Sequence, residues 1–492
     1  MRTFEIILIG VNVLSLFLSF KRHSKATQAR IAFVNVLVFM VHAILEGLRY
    51  QMIFSYMGVG LLVVFALSQR TFKGIAISLS LVFLAVTSFL AYAFPVFTLP
   101  RPTGDYAVGI QYFHLIDENR TDPFLDGSTK KRELMVKVYY PAKQDDSKSL
   151  VPYFHGSSEL ITLFAEFYNM PGFLFDHLSL VNTNAKEGLQ VSDRQQTYPV
   201  VLFSHGAGTT MEVQTSQSED LASHGYIVVA IDHTYVSAAT AFPDRVVFHK
   251  EATTSFNVPE PAEIITQIMA DDSKFVMETL DEMNDGTMDS IFQGKLNLDQ
   301  IGAIGHSVGG AVAYNLAIND SRVKAAIDLD GTIFIAPEGV KEVSPFLMLA
   351  NDKFHIQAVQ SQNPLMKTFA EMDDIDRRIT LDIYGSQEAY EEAYKKAQQN
   401  IIGLTDVLRS SGNLFTIEGS DHMKFTDIGL FIAIPQLREQ IGIGGETDPA
   451  RCLEITKAVT LAFFDHHLKG KTNNSLASLV TKYPELKNVD LK

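Results

Sequence analysis

The sequence predicts an α/β protein with a doubly wound, mostly parallel sheet, preceded by an all-α bundle of about four transmembrane helices. Three features carry this. The first hundred residues hold four apolar runs. The remaining 392 alternate short apolar runs with longer amphipathic ones. One of the short runs leads through a glycine-flanked serine straight into a helical segment. At 492 residues the chain is long for one core, which suits a division into a membrane part, 1–98, and a second part, 99–492.

The N-terminal runs are Phe4–Phe20, Ile31–Leu48, Met52–Leu67 and Ile75–Phe94. Each approaches the ~20 residues that cross a ~30 Å hydrocarbon core. Buried helices of a soluble domain are the plainer alternative. A cleavable signal would explain the first run alone, but Lys21 and Arg22 follow it directly. Lys21, Arg22, Lys25 and Arg30 make the first loop basic, as Arg70 and Lys73 do the third. Basic loops stay cytoplasmic. With four spans, both the N-terminus and the large C-terminal part would then lie outside a multi-pass cell-membrane protein. Asn35 and His42 are seven residues apart and share a helix face, where they read as interhelical hydrogen-bonding groups.

Charge and cysteine content exclude several classes. The net charge of −15 is the sum of a basic first hundred residues and an acidic remainder, so no nucleic-acid partner is expected. The single cysteine, Cys452, excludes a disulfide framework and a cysteine-built metal site. No cofactor or metal is called for.

After the stiff linker Leu99-Pro100-Arg101-Pro102, strands are expected at Tyr106–Ile116 and Glu133–Tyr140, the latter with Leu134, Val136, Val138 and Tyr140 on one face. Tyr198–Phe203 and Tyr226–Ile231 are continuous apolar runs, as suits parallel strands buried on both faces. Pro261–Met283 is expected to be a helix, with proline in its first turn. A strand at Asp299–Ile304, a helix at Gly310–Ile318, strands at Val323–Leu329, Phe346–Ala350 and Asn413–Ile417, and a closing helix at Leu453–Leu468 complete the pattern. Residues 142–196 and 353–411 are extra to a minimal sheet and read as insertions.

Gly305-His306-Ser307-Val308-Gly309 is a G-x-S-x-G motif between a strand and a helix. That is the elbow which lifts a serine hydroxyl above the sheet in an α/β-hydrolase. A structural strand–helix turn is the plain alternative. Serine needs a base, and the base an orienting acid, in the chain order Ser, acid, His. His422 follows the last strand in Glu418-Gly419-Ser420-Asp421-His422 and is the candidate base. Asp330 and Asp352 each follow a strand after the serine, and both stand as candidate acids. Val308 and Ala207, the latter in the glycine-rich loop His205-Gly206-Ala207-Gly208, are the candidate oxyanion-hole donors.

Taken together, LFSHGAG, LASHGYIVVAIDH, GHSVGG, AAIDLDG and GSDHMKFTD resemble the plasma and intracellular type II platelet-activating factor acetylhydrolases and their bacterial relatives. LPRPTGDYAVG and VYYPA support the likeness, which runs in order over roughly residues 98–470. The resemblance implies metal-free cleavage of short or oxidised acyl chains from phospholipids. It also implies Ser307 as nucleophile, His422 as general base and acid, and Asp330 rather than Asp352 as the orienting acid, with Ala207 and Val308 as oxyanion amides. The chain departs at Val308, where the lipid enzymes carry phenylalanine. The expected function is thus a serine carboxylic ester hydrolase on phospholipid esters with short acyl chains, similar to 1-alkyl-2-acetylglycerophosphocholine esterase. Its partners would be the ester substrate and a bilayer holding the N-terminal helices. A general esterase of dienelactone-hydrolase type is the rival within enzymes. A membrane sensor that retains a hydrolase-like domain is the rival outside them. The sequence leaves the oligomeric state open.

Overall fold

The computed structural model describes residues 1–19, 24–67, 73–155, 158–253, 261–331, 343–351, 353–411, 413–472 and 475–491. The chain forms two compact units. One comprises residues 1–98, 152–182 and 430–442, and the other residues 99–151, 183–429 and 443–492.

The first unit holds α1 (Thr3–Ser19), α2 (Lys25–Glu46), α3 (Ile53–Leu67) and α4 (Lys73–Ala93). Among the described residues only α2 is long and apolar enough to cross a membrane. The expectation of four spans is corrected accordingly. At 1.5 Å per residue, the 15 described residues of α3 reach roughly 22 Å. Among the described residues the shorter apolar helical stretches are Thr3–Leu18, Tyr50–Val64 and Ile77–Ala93. The outward orientation of the second unit rested on that count and falls with it. Lys21, Arg22 and Arg70, on which the orientation also leaned, lie outside the described residues. Asn35 and His42 do join helices: Asn35 Nδ2 donates to Ser15 Oγ at 2.6 Å, and His42 Nε2 lies 2.9 Å from Tyr56 Oη. The Arg49 guanidinium is buried and ties three segments at once. It donates to both Glu5 carboxylate oxygens, at 2.6 and 2.7 Å, and to the Phe94 carbonyl at 2.6 Å.

The second unit is built on one mixed sheet. Its strands in chain order are β1 (Ala107–Thr121), β2 (Lys131–Ala142), β3 (Leu150–Pro152), β4 (Asn182–Glu187), β5 (Tyr198–Ser204), β6 (Ile227–Asp232), a separate small hairpin β7 (Ala239–Ala241) and β8 (Val246–Phe248), then β9 (Leu296–His306), β10 (Val323–Leu329), β11 (Phe346–Asn351), β12 (Asn413–Ile417) and β13 (Leu486–Asn488). The spatial order is β13-β12-β11-β10-β9-β5-β6-β2-β1-β4-β3. Strands β6, β5, β9, β10, β11 and β12 pair in parallel, while β1, β2 and β13 join antiparallel.

Alternation sorts the strands' side chains to two apolar faces. Leu134, Val136, Val138 and Tyr140 of β2 enter one buried cluster as the pattern predicts, and Met135 and Tyr139 enter the other. Helices cover both. The helices at Pro261–Asp285 and Val308–Asn319 supply Leu280 and Val312 to the first cluster. Those at Thr215–Ser223 and Pro449–Lys469 supply Leu221 and Phe463 to the second. Leu202, at the centre of β5, is 1% exposed. Leu202→Ala is expected to cost ~2–5 kcal/mol through lost burial and the cavity left behind, read as a lower urea midpoint.

This topology also locates the site. The chain runs from β5 outward to β6, then returns to β9 on the other side of β5. The carboxyl ends of β5 and β9, where Ser204 stands opposite Gly305, therefore flank the point at which the strand order reverses. Ligands of such sheets bind there.

Candidate active site

Strand β9 ends at His306, and the helix begins at Val308. Ser307 between them has φ 57° and ψ −125°. A side chain there costs ~1–3 kcal/mol and persists only where its surroundings hold it. The Ser307 amide donates to the Leu329 carbonyl at 3.0 Å, which fixes the turn to β10. The flanking glycines are sterically required. A Cβ at Gly305 would overlap the Gly309 backbone, and one at Gly309 would overlap the Ser204 carbonyl and lie 2.7 Å from that of His205. Gly309→Ala is expected to cost ~1–3 kcal/mol by overpacking, seen as a lower melting temperature together with reduced ester hydrolysis.

Asp330 follows β10 with φ 56°, a left-handed position that aspartate tolerates better than most residues. Its carboxylate is fully buried and has three donors. His422 Nδ1 lies 2.7 Å from Oδ2, the Asn351 amide donates to Oδ1 at 2.8 Å, and Asn351 Nδ2 donates to Oδ2 at 2.7 Å. Burial alone would raise this acid, but the His422 hydrogen bond, nearby His355 and the Asn351 amide hold it down to about 2. Because the folded value lies below the unfolded one, the ionised carboxylate adds stability above pH about 4, and this is lost as pH falls toward 2. The stability gap between wild type and Asp330→Asn is expected to change across that window and to be flat above it, as measured by denaturant midpoints. The other candidate acid, Asp352, lies outside the described residues.

His422 opens a short helical turn, His422–Phe425, after β12. Its side chain is 37% exposed, so the ring is held on buried Asp330 and partly open to solvent. The turn is anchored below. Buried Lys424 donates to the Gly445 and Thr447 carbonyls at 2.8 and 2.6 Å, and the Ser216 amide donates to Asp427 at 3.1 Å. His306, next to Ser307, holds the turn from the other side. Its Nε2 donates to the His422 carbonyl at 2.9 Å, and the two rings lie 4.4 Å apart. Burial lowers His306 to about 3, so it stays neutral.

Two of these contacts escaped the sequence reading, those of His306 and Asn351. His306 sits inside G-x-S-x-G at the variable position, and Asn351 directly precedes the candidate Asp352. The turn that offered a second acid thus supplies two donors to the first.

Gly206 packs against the serine: a Cβ built there would lie 3.0 Å from Ser307 Cβ. The next residue, Ala207, is exposed among buried neighbours. Val308 is the first residue of its helix, so its N–H has no intrahelical acceptor and stands at the positive end of the helix dipole. Among the described residues no group of three or more His, Cys, Asp or Glu side chains is placed to hold a metal ion.

The profile of the platelet-activating factor acetylhydrolase isoform II family matches residues 92–483. The chain belongs to this family. A relative from Arthroderma benhamiae, named as a probable 1-alkyl-2-acetylglycerophosphocholine esterase, is 24% identical over 80% of this chain and 94% of its own length. The platelet-activating factor acetylhydrolase of Cavia porcellus is 22% identical over 75% of this chain and 78% of its own. Among solved structures, a ferulic acid esterase from Streptomyces cinnamoneus superposes with a TM-score of 0.57 at 25% identity, covering 80% of this chain and all of that one. The family match includes the sheet unit of this acetylhydrolase relative up to residue 483, which leaves out β13, and it starts inside α4.

Proposed function

We propose that the protein is a serine carboxylic ester hydrolase acting on phospholipid esters with short acyl chains. What supports this is the 2.7 Å bond between His422 Nδ1 and buried Asp330, together with the strained elbow that carries Ser307, whose neighbour His306 has its ring 4.4 Å from that of His422. Asp330, ionised and immobile, keeps the His422 proton on Nδ1 and leaves Nε2 as the base. His422 removes the Ser307 proton as the serine attacks the ester carbonyl. The Val308 and Ala207 amides stabilise the oxyanion, His422 protonates the leaving alcohol, and water releases the acid by the same steps in reverse order. The family and the named activity of the Arthroderma relative favour a glycerophospholipid acetyl ester. Attachment through α2 would present the enzyme to lipid rather than to soluble esters.

The second reading, a general esterase on small or polymeric esters, draws on the ferulic acid esterase likeness. Parallel assays on 1-alkyl-2-acetylglycerophosphocholine, a long-chain phosphatidylcholine and p-nitrophenyl acetate separate the two. A higher kcat/KM on the acetyl lipid than on either competitor is expected. Equal or faster turnover of the soluble acetate would favour the general esterase.

A further inference from the structure

Behind the loop that carries Ala207 runs a chain of buried polar groups that the hydrolytic steps do not use. Arg132 Nη2 and Nε donate to the two Asp272 carboxylate oxygens at 2.7 and 3.1 Å, and Arg120 adds a third bond at 2.9 Å. Burial would raise Asp272, but the Arg132 charge holds it well below the usual carboxylate range. The carboxylate therefore accepts the Nδ1 proton of His233 at 3.0 Å. His233 Nε2 can then only accept, and it takes the Ser204 hydroxyl at 3.1 Å. Ser204, His233, Asp272 and Arg132 are each 3% exposed or less. This second serine–histidine–aspartate set is sealed from substrate, so it does not rival Ser307 as a nucleophile.

The chain ends at the oxyanion loop. The His233 backbone N–H donates to His205 Nε2 at 3.0 Å. That occupies the ε lone pair and puts the His205 proton on Nδ1, which donates to the Gly206 carbonyl at 2.8 Å. Asp232 Oδ1 is farther from the same ε nitrogen, at 3.5 Å, and takes the Thr240 hydroxyl. The Gly206 carbonyl also accepts from the Thr209 amide at 3.1 Å and the Thr209 hydroxyl at 2.7 Å. A trans peptide is planar, so its C=O and the following N–H point in opposite directions. Three donors that fix the Gly206 oxygen thus also fix the direction of the Ala207 N–H, in a loop whose Gly206 packs against Ser307.

We propose that His205, set in place by the buried Ser204–His233–Asp272–Arg132 chain, is a positioning residue that fixes the Gly206–Ala207 peptide in the orientation needed to aim the Ala207 N–H at the oxyanion. The inference rests on the reading of Ser307 as nucleophile and Ala207 as donor. Its test exploits the geometry of amide side chains. Asparagine places an N–H near the δ nitrogen of histidine and can still reach the Gly206 carbonyl, whereas glutamine matches only the ε position.

With the full-length protein and a p-nitrophenyl ester, His205→Gln is expected to lower kcat by on the order of 10²–10³-fold, as loss of an oxyanion donor does, while KM stays within about twofold. His205→Asn is expected to recover most of that kcat. Thr209→Val, which removes one hydroxyl at constant shape, is expected to lower kcat with KM again unchanged. Wild-type kcat in both His205→Gln and Thr209→Val would overturn the proposal. So would a loss in His205→Gln that asparagine does not rescue and that moves KM and melting temperature together. If His205→Gln does not fold, Thr209→Val decides alone: wild-type kcat there overturns the proposal. A wild-type protein that a fluorophosphonate probe does not label at Ser307 would instead sink the nucleophile reading on which this one rests.

Discussion

Replacing Ser307 with alanine is expected to lower kcat by on the order of 10⁶-fold on any ester the wild type accepts, with little change in KM or fold stability. The size follows from the parts the serine unites. In the proposed mechanism His422 has nothing to deprotonate without the hydroxyl, and the Val308 and Ala207 amides would act on an oxyanion that forms only after attack. What survives would be the effect of binding and of a polarised carbonyl on water. Alanine at this position keeps the same strained φ of 57°, so the variant should fold like the wild type. Steady-state rates and thermal melts of the two proteins side by side check this.

Asp330→Asn is the second large effect. The change keeps shape, and the Asn351 donors at 2.7 and 2.8 Å then face a neutral amide in place of a carboxylate. An amide that turns its NH₂ toward His422 forces the imidazole proton to Nε2, the nitrogen proposed to accept from serine. A loss of ~10⁴-fold in kcat at neutral pH is expected from the wrong tautomer alone. Asp352→Asn is expected to leave kcat near wild type. Equal losses in both variants, measured under the same conditions, would contradict the assignment of the acid to Asp330.

The central strands were legible because their burial is two-sided. Val323–Leu329 and Asn413–Ile417 run with the bounds the apolar pattern predicts, since a parallel strand under helices has no polar face to blur its edges. Strand β4 reads NTNAKE and was missed as part of an insertion. It and β3 form the edge of the sheet beyond β1, where polar residues are at no disadvantage, and nothing in their composition separates them from loop. The four apolar runs were real helices, but a hydropathy pattern measures apolarity better than it measures where a helix stops. Arg49, for example, is buried against Glu5 in a position that composition cannot distinguish from a solvated loop.

At the site, the strand–serine–helix elbow was readable from local sequence. The choice of acid was not, because both aspartates follow well-formed strands, and only the family likeness tilted it. The contribution of Asn351 depends on a contact 21 residues back, and that of His306 on one 116 residues ahead. Such pairings are set by sheet register and not by any neighbouring residue.

Labelling the detergent-solubilised protein with a fluorophosphonate probe and mapping the modified residue, with Ser307→Ala, Asp330→Asn and Asp352→Asn run alongside, tests the assignment of Ser307 as nucleophile. Labelling at Ser307 in the wild type and Asp352→Asn, strongly slowed in Asp330→Asn and absent in Ser307→Ala, is the predicted result. No labelling of the wild type, or ester hydrolysis unchanged in Ser307→Ala, would contradict the hydrolase account and put a sensor or scaffold role in its place.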